Sequence, residues 1–473
     1  MDFHFSTVVW GPWHTGVYLD ANLPSLLAPE NLPAFAKKHR VTYRILTSKR
    51  DIPRIEASPA FQRARSIVPF ELVACPVEDS SDPIAMHHQL WRRSIAEARN
   101  ANAMILFVPP DVIWANGALG HVADLFEQGK RAVFMTYMRV VSETCIPEAR
   151  RRYLAADGAT IEASSRDLVR LCFEHIHPLA LTYLHDSPHF PIHPELILWP
   201  VSGEGYLMRV LVREMFAYDP KLISLNQQAL PANVPDPDLM HYINDSDDLF
   251  SLSLTPLTKD VNWYSGLQSL NPIKIGSWWL AYDSPANDIV AKTYFYVHSG
   301  PKTPEKWRSV EIESDVMMRR IAGARELLRV IGGMVGEDTL YARQVLSMAL
   351  AETKLAEYLR CGGPFTVLIP NDQAMIRYLN ELGDDFIEVS KSEEFLRLIM
   401  DHVVIGRIPP DAGRVQTLRT LNGGKREVTW QYGDPVVDGA ILRAPGFPLI
   451  SEENDVSEGW AFLIDRVLPT ADR

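Results

Sequence analysis

Residues 104–114 read MILFVPPDVIW. An unbroken apolar run of this kind fits a strand buried on both faces, and two adjacent prolines without amide N–H groups end its ladder. Asp111 is the one carboxylate at that break. Upstream, residues 83–101 (PIAMHHQLWRRSIAEARNA) place Ile84, His88, Trp91, Ile95 and Ala98 on one helical face. Earlier still, FHFSTVVWG (3–11), VTYRILTS (41–48) and PFELVACPV (69–77) read as strands, and 53–66 as a helix. Downstream, 117–128 reads as a helix and KRAVFMTYM (130–138) as a further buried strand. Strands alternating with helices predict an α/β domain with a mostly parallel, Rossmann-like sheet covered on both faces. Such sheets take ligands beyond the carboxyl ends of their strands, here 10–16, 47–50, 75–79, 109–114 and 136–139.

The rest of the chain changes character. A helix is expected over 165–180, a loop-rich stretch with histidine and proline over 183–204, and an apolar run over 205–217. Residues 226–248 are polar and proline-rich, LFSLSLTPL (249–257) reads as a strand, and 260–300 is aromatic-rich. SGPKTPEKWRSVE (300–312) has the composition of a linker. An amphipathic helix is predicted at 338–361, then the strand PFTVLIP (364–370), then a helix from 371 capped by Asn371. The expected organisation is an α/β domain over 1–300, a linker and connecting helix over 301–336, and a smaller α+β domain over 337–473.

With 473 residues, 47% hydrophobic and 22% charged, the chain has apolar surface enough for a folded core, which excludes disorder as its main state. A net charge of -12 argues against a general affinity for nucleic acid or anionic membrane, though a local basic pocket needs only a few cations. Four widely spaced cysteines make no disulfide framework. No run of about 18 apolar residues predicts a transmembrane helix, and the first residues lack the pattern of a signal peptide. The expected location is the cytoplasm.

Phe365–Met375, His402–Gly406, Thr420–Gly424 and Phe462–Pro469 stand in the order of four pieces: a threonine-bearing strand into P-N-D-x-A, an HVV-x-G block, a TLNG hairpin and a closing IDRVLP strand. Together they resemble the fasciclin domain. The resemblance implies a binding or adhesion module with protein or glycan partners, usually outside cells, and no catalysis. His402 is expected at a helix end as a hydrogen-bonded core histidine.

Four N-terminal pieces, WGPWHTGVYLDANLPSLLAPENLPAF (10–35), FVPPDVIWANGALGHVADLFEQGKRAVFMTYMRV (107–140), HIHP with FPIHPELILWPVSGEGYLMR (within 175–209) and INDSDDLFSLSLTPL (243–257), resemble bacterial GT-A-type glycosyltransferase-like proteins. The resemblance implies a nucleotide-sugar lying across the carboxyl ends of the strands, usually with Mg²⁺ or Mn²⁺ held by an Asp-x-Asp. Pro109-Pro110-Asp111 offers one carboxylate in that place, which puts metal dependence in doubt.

Within this resemblance, Asp111 is the candidate for the nucleotide or a metal, against a plain turn-forming Asp. Arg139 is the candidate for the diphosphate, against a surface Arg. Asp245 and Asp247, from Asp245-Ser246-Asp247, are candidates for general base or metal ligand, against a solvated acidic turn. Trp10 offers a ring to a sugar or base. His177 and His193 could hydrogen-bond a sugar or phosphate, against structural histidines. His175, His177, His185, His189 and His193 also raise a zinc reading, weakened by Pro188, Pro191 and Pro194, which forbid a helix that would align them. The leading expectation is a glycosyltransferase joined to a fasciclin-like binding module. A non-catalytic scaffold on a degenerate transferase fold is the alternative, and a metal-dependent hydrolase built on the histidines is a third.

Overall fold

The computed structural model describes residues 1–77, 82–191, 194–212, 215–222, 236–258, 269–280, 282, 285–335, 364–383, 389, 392–408, 415–431, 434–448 and 459–471. The chain divides into two compact units. The first holds Met1–Leu270 with Tyr282–Asp315, and the second Asn271–Ala281 with Val316–Arg473.

The first unit contains strands β1 (Asp2–Val8), β2 (Arg40–Thr47), β3 (Phe70–Ala74), β4 (Met104–Phe107), β5 (Val112–Trp114), β6 (Ala132–Phe134), β7 (Met138–Val141), β8 (Leu196–Val201), β9 (Gly205–Val210), β10 (Met215–Tyr218), β11 (Met240–Tyr242), β12 (Ser251–Thr255) and β13 (Phe295–His298). Seven form one sheet in the order β11-β6-β10-β4-β1-β2-β3. β1 runs parallel to β2 and β4, and β2 parallel to β3. β10 alone runs against its neighbours, β4 and β6, so the sheet is mixed.

The central strand shows why this sheet forms. Phe3 and Phe5 of β1 are fully buried, edge-on to Phe35 at 4.8 and 5.0 Å, and Phe3 meets Phe126 at 4.9 Å. Each such ring contributes about 1.5–3 kcal/mol of transfer free energy. Residues of the opposite parity meet the helix Pro83–Asn100, where the Ser6 hydroxyl donates to the Ser94 hydroxyl at 2.8 Å. The N-terminus of that helix is capped by the Asp82 carboxylate, which accepts from the amides of Ile84 and Ala85.

Several expected boundaries shift for identifiable reasons. Residues 104–114 divide into β4 and β5, which belong to different sheets, because Pro109 and Pro110 cannot continue a ladder. Likewise 130–138 divides into β6 and the start of β7. The helix expected at 53–66 becomes Ile52–Glu56 and Pro59–Ala64, since Pro59 pushes Ser58 into an extended conformation. The stretch 183–204 is not all loop: β8 pairs antiparallel with β9, and Pro200 is tolerated because β8 is an edge strand of β13-β9-β8. The expected linker over 300–312 belongs largely to a helix, Pro304–Val335. The helix expected at 338–361 lies outside the described residues.

The second unit contains β14 (Phe365–Pro370), β15 (Val403–Ile405), β16 (Gln416–Thr420), β17 (Lys425–Gln431), β18 (Asp434–Val437), β19 (Ala440–Pro448) and β20 (Gly459–Ile464), which close into a barrel. Closure leaves no free edge. β14 runs parallel to β20 along its whole length and antiparallel to β15. Helices Asp372–Leu382 and Glu393–Asp401 cover one end, with Met375, Phe395 and Ile399 packed on Phe365, Val367 and Val403. Asn371 caps the first as expected, its side chain accepting the Ala374 amide at 2.9 Å.

Candidate functional site

In the large sheet the chain leaves β1 toward β2 on one side and reaches β4 on the other. In open α/β sheets such a reversal of strand order is where ligands bind, beyond the carboxyl ends. Gly11 follows β1 with φ 81°, a left-handed conformation that suits glycine. Its amide donates to the Asp51 carboxylate at 2.9 Å, and the Ser48 hydroxyl donates to the same oxygen at 2.7 Å. Asp51 thus ties the loop after β1 to the loop after β2. Arg54 Nη1 donates to the Pro12 carbonyl at 3.0 Å and strengthens the same junction.

Trp10, one of the residues singled out from sequence, is half-buried beside this clamp. Its ring meets the His87 ring at 6.2 Å, and His87 meets Trp91 edge-on at 4.5 Å. Burial lowers the His87 pKa to about 4, with the His88 and His14 charges acting in the same direction. The imidazole is therefore neutral at pH 7, part of an aromatic wall rather than a cation. Sequence reasoning marked this edge by position but missed Asp51 and His87. The S-x-x-D turn directly after strand β2 was the available signal.

Asp111 and Arg139 lie on opposite sides of β12 in the small sheet β5-β12-β7. Leu254 of β12 donates its amide to the Asp111 carbonyl at 2.7 Å, and its neighbour Ser253 pairs with Arg139. Arg139 therefore sits inside strand β7, where sequence had placed it just beyond a strand end. It is half-buried, with its guanidinium carbon 5.7 Å from the Tyr137 ring centroid. Burial opposes its charge, but Tyr137, Tyr183, Glu195 and Asp111 outweigh that and hold its pKa above the ordinary arginine value. Among the described residues, the guanidinium makes no hydrogen bond and no ion pair.

Asp245 and Asp247 form a different cluster. With His298 their ligand atoms lie within 4.8 Å of one another, the single such group among the described residues, and Asp111 is not part of it. Its lone pairs are already engaged. Asp247 receives both Nε and Nη2 of Arg166, at 2.9 and 2.7 Å. Asp245 accepts from His298 Nε2 at 2.8 Å and from Lys302 at 2.5 Å. His298 Nδ1 contacts the Gly300 carbonyl at 2.7 Å, so both ring nitrogens donate and the ring carries a proton on each. The Asp245 hydrogen bond raises the His298 pKa. Although burial opposes it, bonding to His298 and Lys302 holds Asp245 well below the usual carboxylate range. A divalent ion would have to displace two cationic side chains, so this donor set does not fit one. Neither carboxylate stands ready as a base.

His177 caps the helix Pro178–Thr182. Its Nδ1 accepts the Leu179 amide at 3.0 Å and its Nε2 donates to the Pro256 carbonyl at 3.1 Å. Both nitrogens serve the backbone, which leaves neither for a sugar or phosphate. His185 stacks on Trp199 at 5.5 Å, and His175 meets the Thr144 hydroxyl. Among the described residues the expected histidine cluster does not assemble as a metal site. His193 lies outside the described residues.

The second unit carries a buried polar network at the end of helix Glu393–Asp401. The Asp401 carboxylate accepts from the Thr420 hydroxyl at 2.7 Å and from Asn422 at 3.2 Å. Next to it, His402 Nδ1 donates to the Leu398 carbonyl at 2.7 Å, and its Nε2 accepts the Leu468 amide at 3.0 Å. The HVV, TLNG and RVLP segments of the sequence thus converge on two adjacent residues. Residues 343–470 match the fasciclin domain. No curated protein is similar enough to the chain to count as a match.

The fasciclin domain accounts for His402 as expected: it is a core histidine, fully hydrogen-bonded, with burial lowering its pKa to about 4. Arg426 of the fasciclin domain is buried as well, bound to Asp438 at 2.8 Å and to the Asp401 carbonyl at 3.2 Å. Each donor here has an acceptor within the domain, which makes the network part of the core.

Proposed function

We propose that the first unit binds a nucleotide-sugar at the carboxyl ends of β1, β2 and β4 and transfers its sugar, while the fasciclin domain binds a protein or glycan partner. The observation that carries the reading is the order β3-β2-β1-β4, a doubly wound arrangement whose reversal point is lined by Trp10, by the bare backbone of Gly11 and by the turn at Asp111. Trp10 offers an aromatic face to the base. Arg139 offers a fork to the diphosphate. The GT-A-like character of the unit belongs to this proposal, and so does a cytoplasmic location, against which the fasciclin domain counts. Among the described residues no helix is long and apolar enough to cross a membrane.

The Asp245 cluster is filled by cations and the turn at Asp111 offers a single carboxylate, so neither fits Mg²⁺ or Mn²⁺. The catalytic roles first considered for Asp245 and Asp247 are not retained. Their engagement favours the second reading, a binding protein on a transferase-like fold that has lost its chemistry. Thermal unfolding of the full chain with UDP, GDP and their sugar conjugates tests the first reading. A rise in Tm is expected, since a ligand preferring the native state stabilises it. No shift with any nucleotide counts against nucleotide binding, and binding without hydrolysis or transfer selects the second reading.

A further inference from the structure

We propose that Asn22 is a positioning residue of the first unit: it fixes the turn after β4, so that Asp111 meets the hydroxyl groups of a bound nucleotide-sugar from a rigid backbone. The inference rests on the reading above and adds to it the group that orders the site.

Three observations support it. First, Asn22 is fully buried, and its side-chain amide gives one hydrogen to the Pro109 carbonyl at 2.8 Å and the other to the Val112 carbonyl at 2.7 Å. These carbonyls flank Pro110-Asp111. The two prolines have fixed φ angles, and the Leu254 amide donates to the Asp111 carbonyl at 2.7 Å. The backbone around Asp111 is therefore pinned from both sides. Its carboxylate, by contrast, makes no hydrogen bond and no ion pair among the described residues. A carboxylate only accepts, so a ligand that meets it brings a donor such as a hydroxyl. Second, the chain departs from a regular helix to deliver Asn22. Pro24 cannot donate to the Asp20 carbonyl, which takes Arg150 Nη1 at 2.8 Å instead. Tyr18–Asn22 form a π-helical turn, in which the Leu23 amide bonds to the Tyr18 carbonyl five residues back. Such turns are rare and frequent at functional positions. Third, Asn22 Oδ1 is buried without a hydrogen-bond partner among the described residues. An apolar side chain would fill the same space without that desolvation cost. What the amide adds over packing is its pair of donors, and both are spent on the turn at Asp111.

The test is a double-mutant cycle on the full chain: calorimetric titration with UDP, GDP and their sugar conjugates of the natural chain, Asn22→Ala, Asp111→Asn and the double variant. Each single variant should weaken binding by about tenfold, the worth of one hydrogen bond to a charged group. The double variant should also lose about tenfold, because both changes remove the same contact. A merely structural Asn22 would leave the two effects independent, so a loss of about a hundredfold in the double variant overturns the proposal. Unchanged affinity in a folded Asn22→Ala chain overturns it too. Should Asn22→Ala not fold, Asn22→Ser, which keeps one donor, takes its place in the cycle. Absence of binding to the natural chain overturns the nucleotide reading, and amide exchange then decides the hold on the turn by itself. Exchange at Leu254 that speeds up in the Asn22 variant while β1 is unchanged supports that hold, and equal exchange at Leu254 overturns it.

Discussion

The Asp51 carboxylate accepts the Gly11 amide at 2.9 Å across 40 residues of chain, and in doing so joins the loops that follow the first two strands. The same oxygen takes the Ser48 hydroxyl, so one buried group sets the shape of the proposed nucleotide crevice. Asp51→Ala leaves the Gly11 amide and the Ser48 hydroxyl unpaired. A loss of about 1–3 kcal/mol in urea unfolding is expected, together with weaker nucleotide binding. Asp51→Asn, which keeps an acceptor, should lose less. Equal stability of natural and Ala chains would show that the clamp does not organise the loops.

The fasciclin domain should lose stability in mild acid. His402 keeps a folded pKa of about 4 against an ordinary value of 6.5. Between these values the unfolded chain binds a proton that the folded core refuses, so stability falls as pH drops through this window and is unaffected above it. The full effect is about 3 kcal/mol. Chemical denaturation of the chain from pH 7 to pH 4 reads it out, and a His402→Gln chain should be less stable at pH 7 but show a shallower pH slope.

The Asp245–His298 pair has two opposite dependences. The His298 pKa is raised, so its contribution is present below about 6.5 and is lost as pH rises through the folded value. The Asp245 pKa is depressed, so its contribution is present above the ordinary aspartate range and disappears as pH falls. The pair is therefore strongest in weak acid. Asp245→Asn should remove both slopes from the first unit's unfolding profile. By contrast, Arg166→Ala breaks an exposed pair and should cost less than about 1 kcal/mol.

Gly205 pairs with His298 where β9 meets β13, and a Cβ at Gly205 would lie 1.9 Å from the Val297 carbonyl oxygen. Gly205→Ala must push these strands apart. A loss of at least about 1–3 kcal/mol is expected, with faster amide exchange in β9 and β13. Exchange unchanged from the natural chain would mean that the backbone relaxes at little cost.

The sequence marked the ends of the strands better than it identified the groups that meet there. Strand ends can be read from apolar runs, so Trp10 and the Asp111 turn were both visible. Asp51 and His298 were not, because their partners are 40 and 53 residues away. Arg139 was visible as a residue, but not as part of strand β7. Asp245-Ser246-Asp247 looked like a metal motif because spacing says nothing about Arg166 and Lys302, which arrive from other elements.

In the second unit, order along the chain was enough. The four short blocks recognised there are the strands and helix end that meet at Asp401 and His402, and local pattern alone specified both the domain and the fate of its histidine. Apolar periodicity likewise determined an α/β first unit, since burial on two faces leaves its mark on each strand separately. The antiparallel course of β10, the division of 104–114 between two sheets and the cationic partners of Asp245 and Asp247 were decided by the tertiary structure. Pairing direction and electrostatic environment depend on which groups are brought near in space, and a linear pattern does not contain that distance.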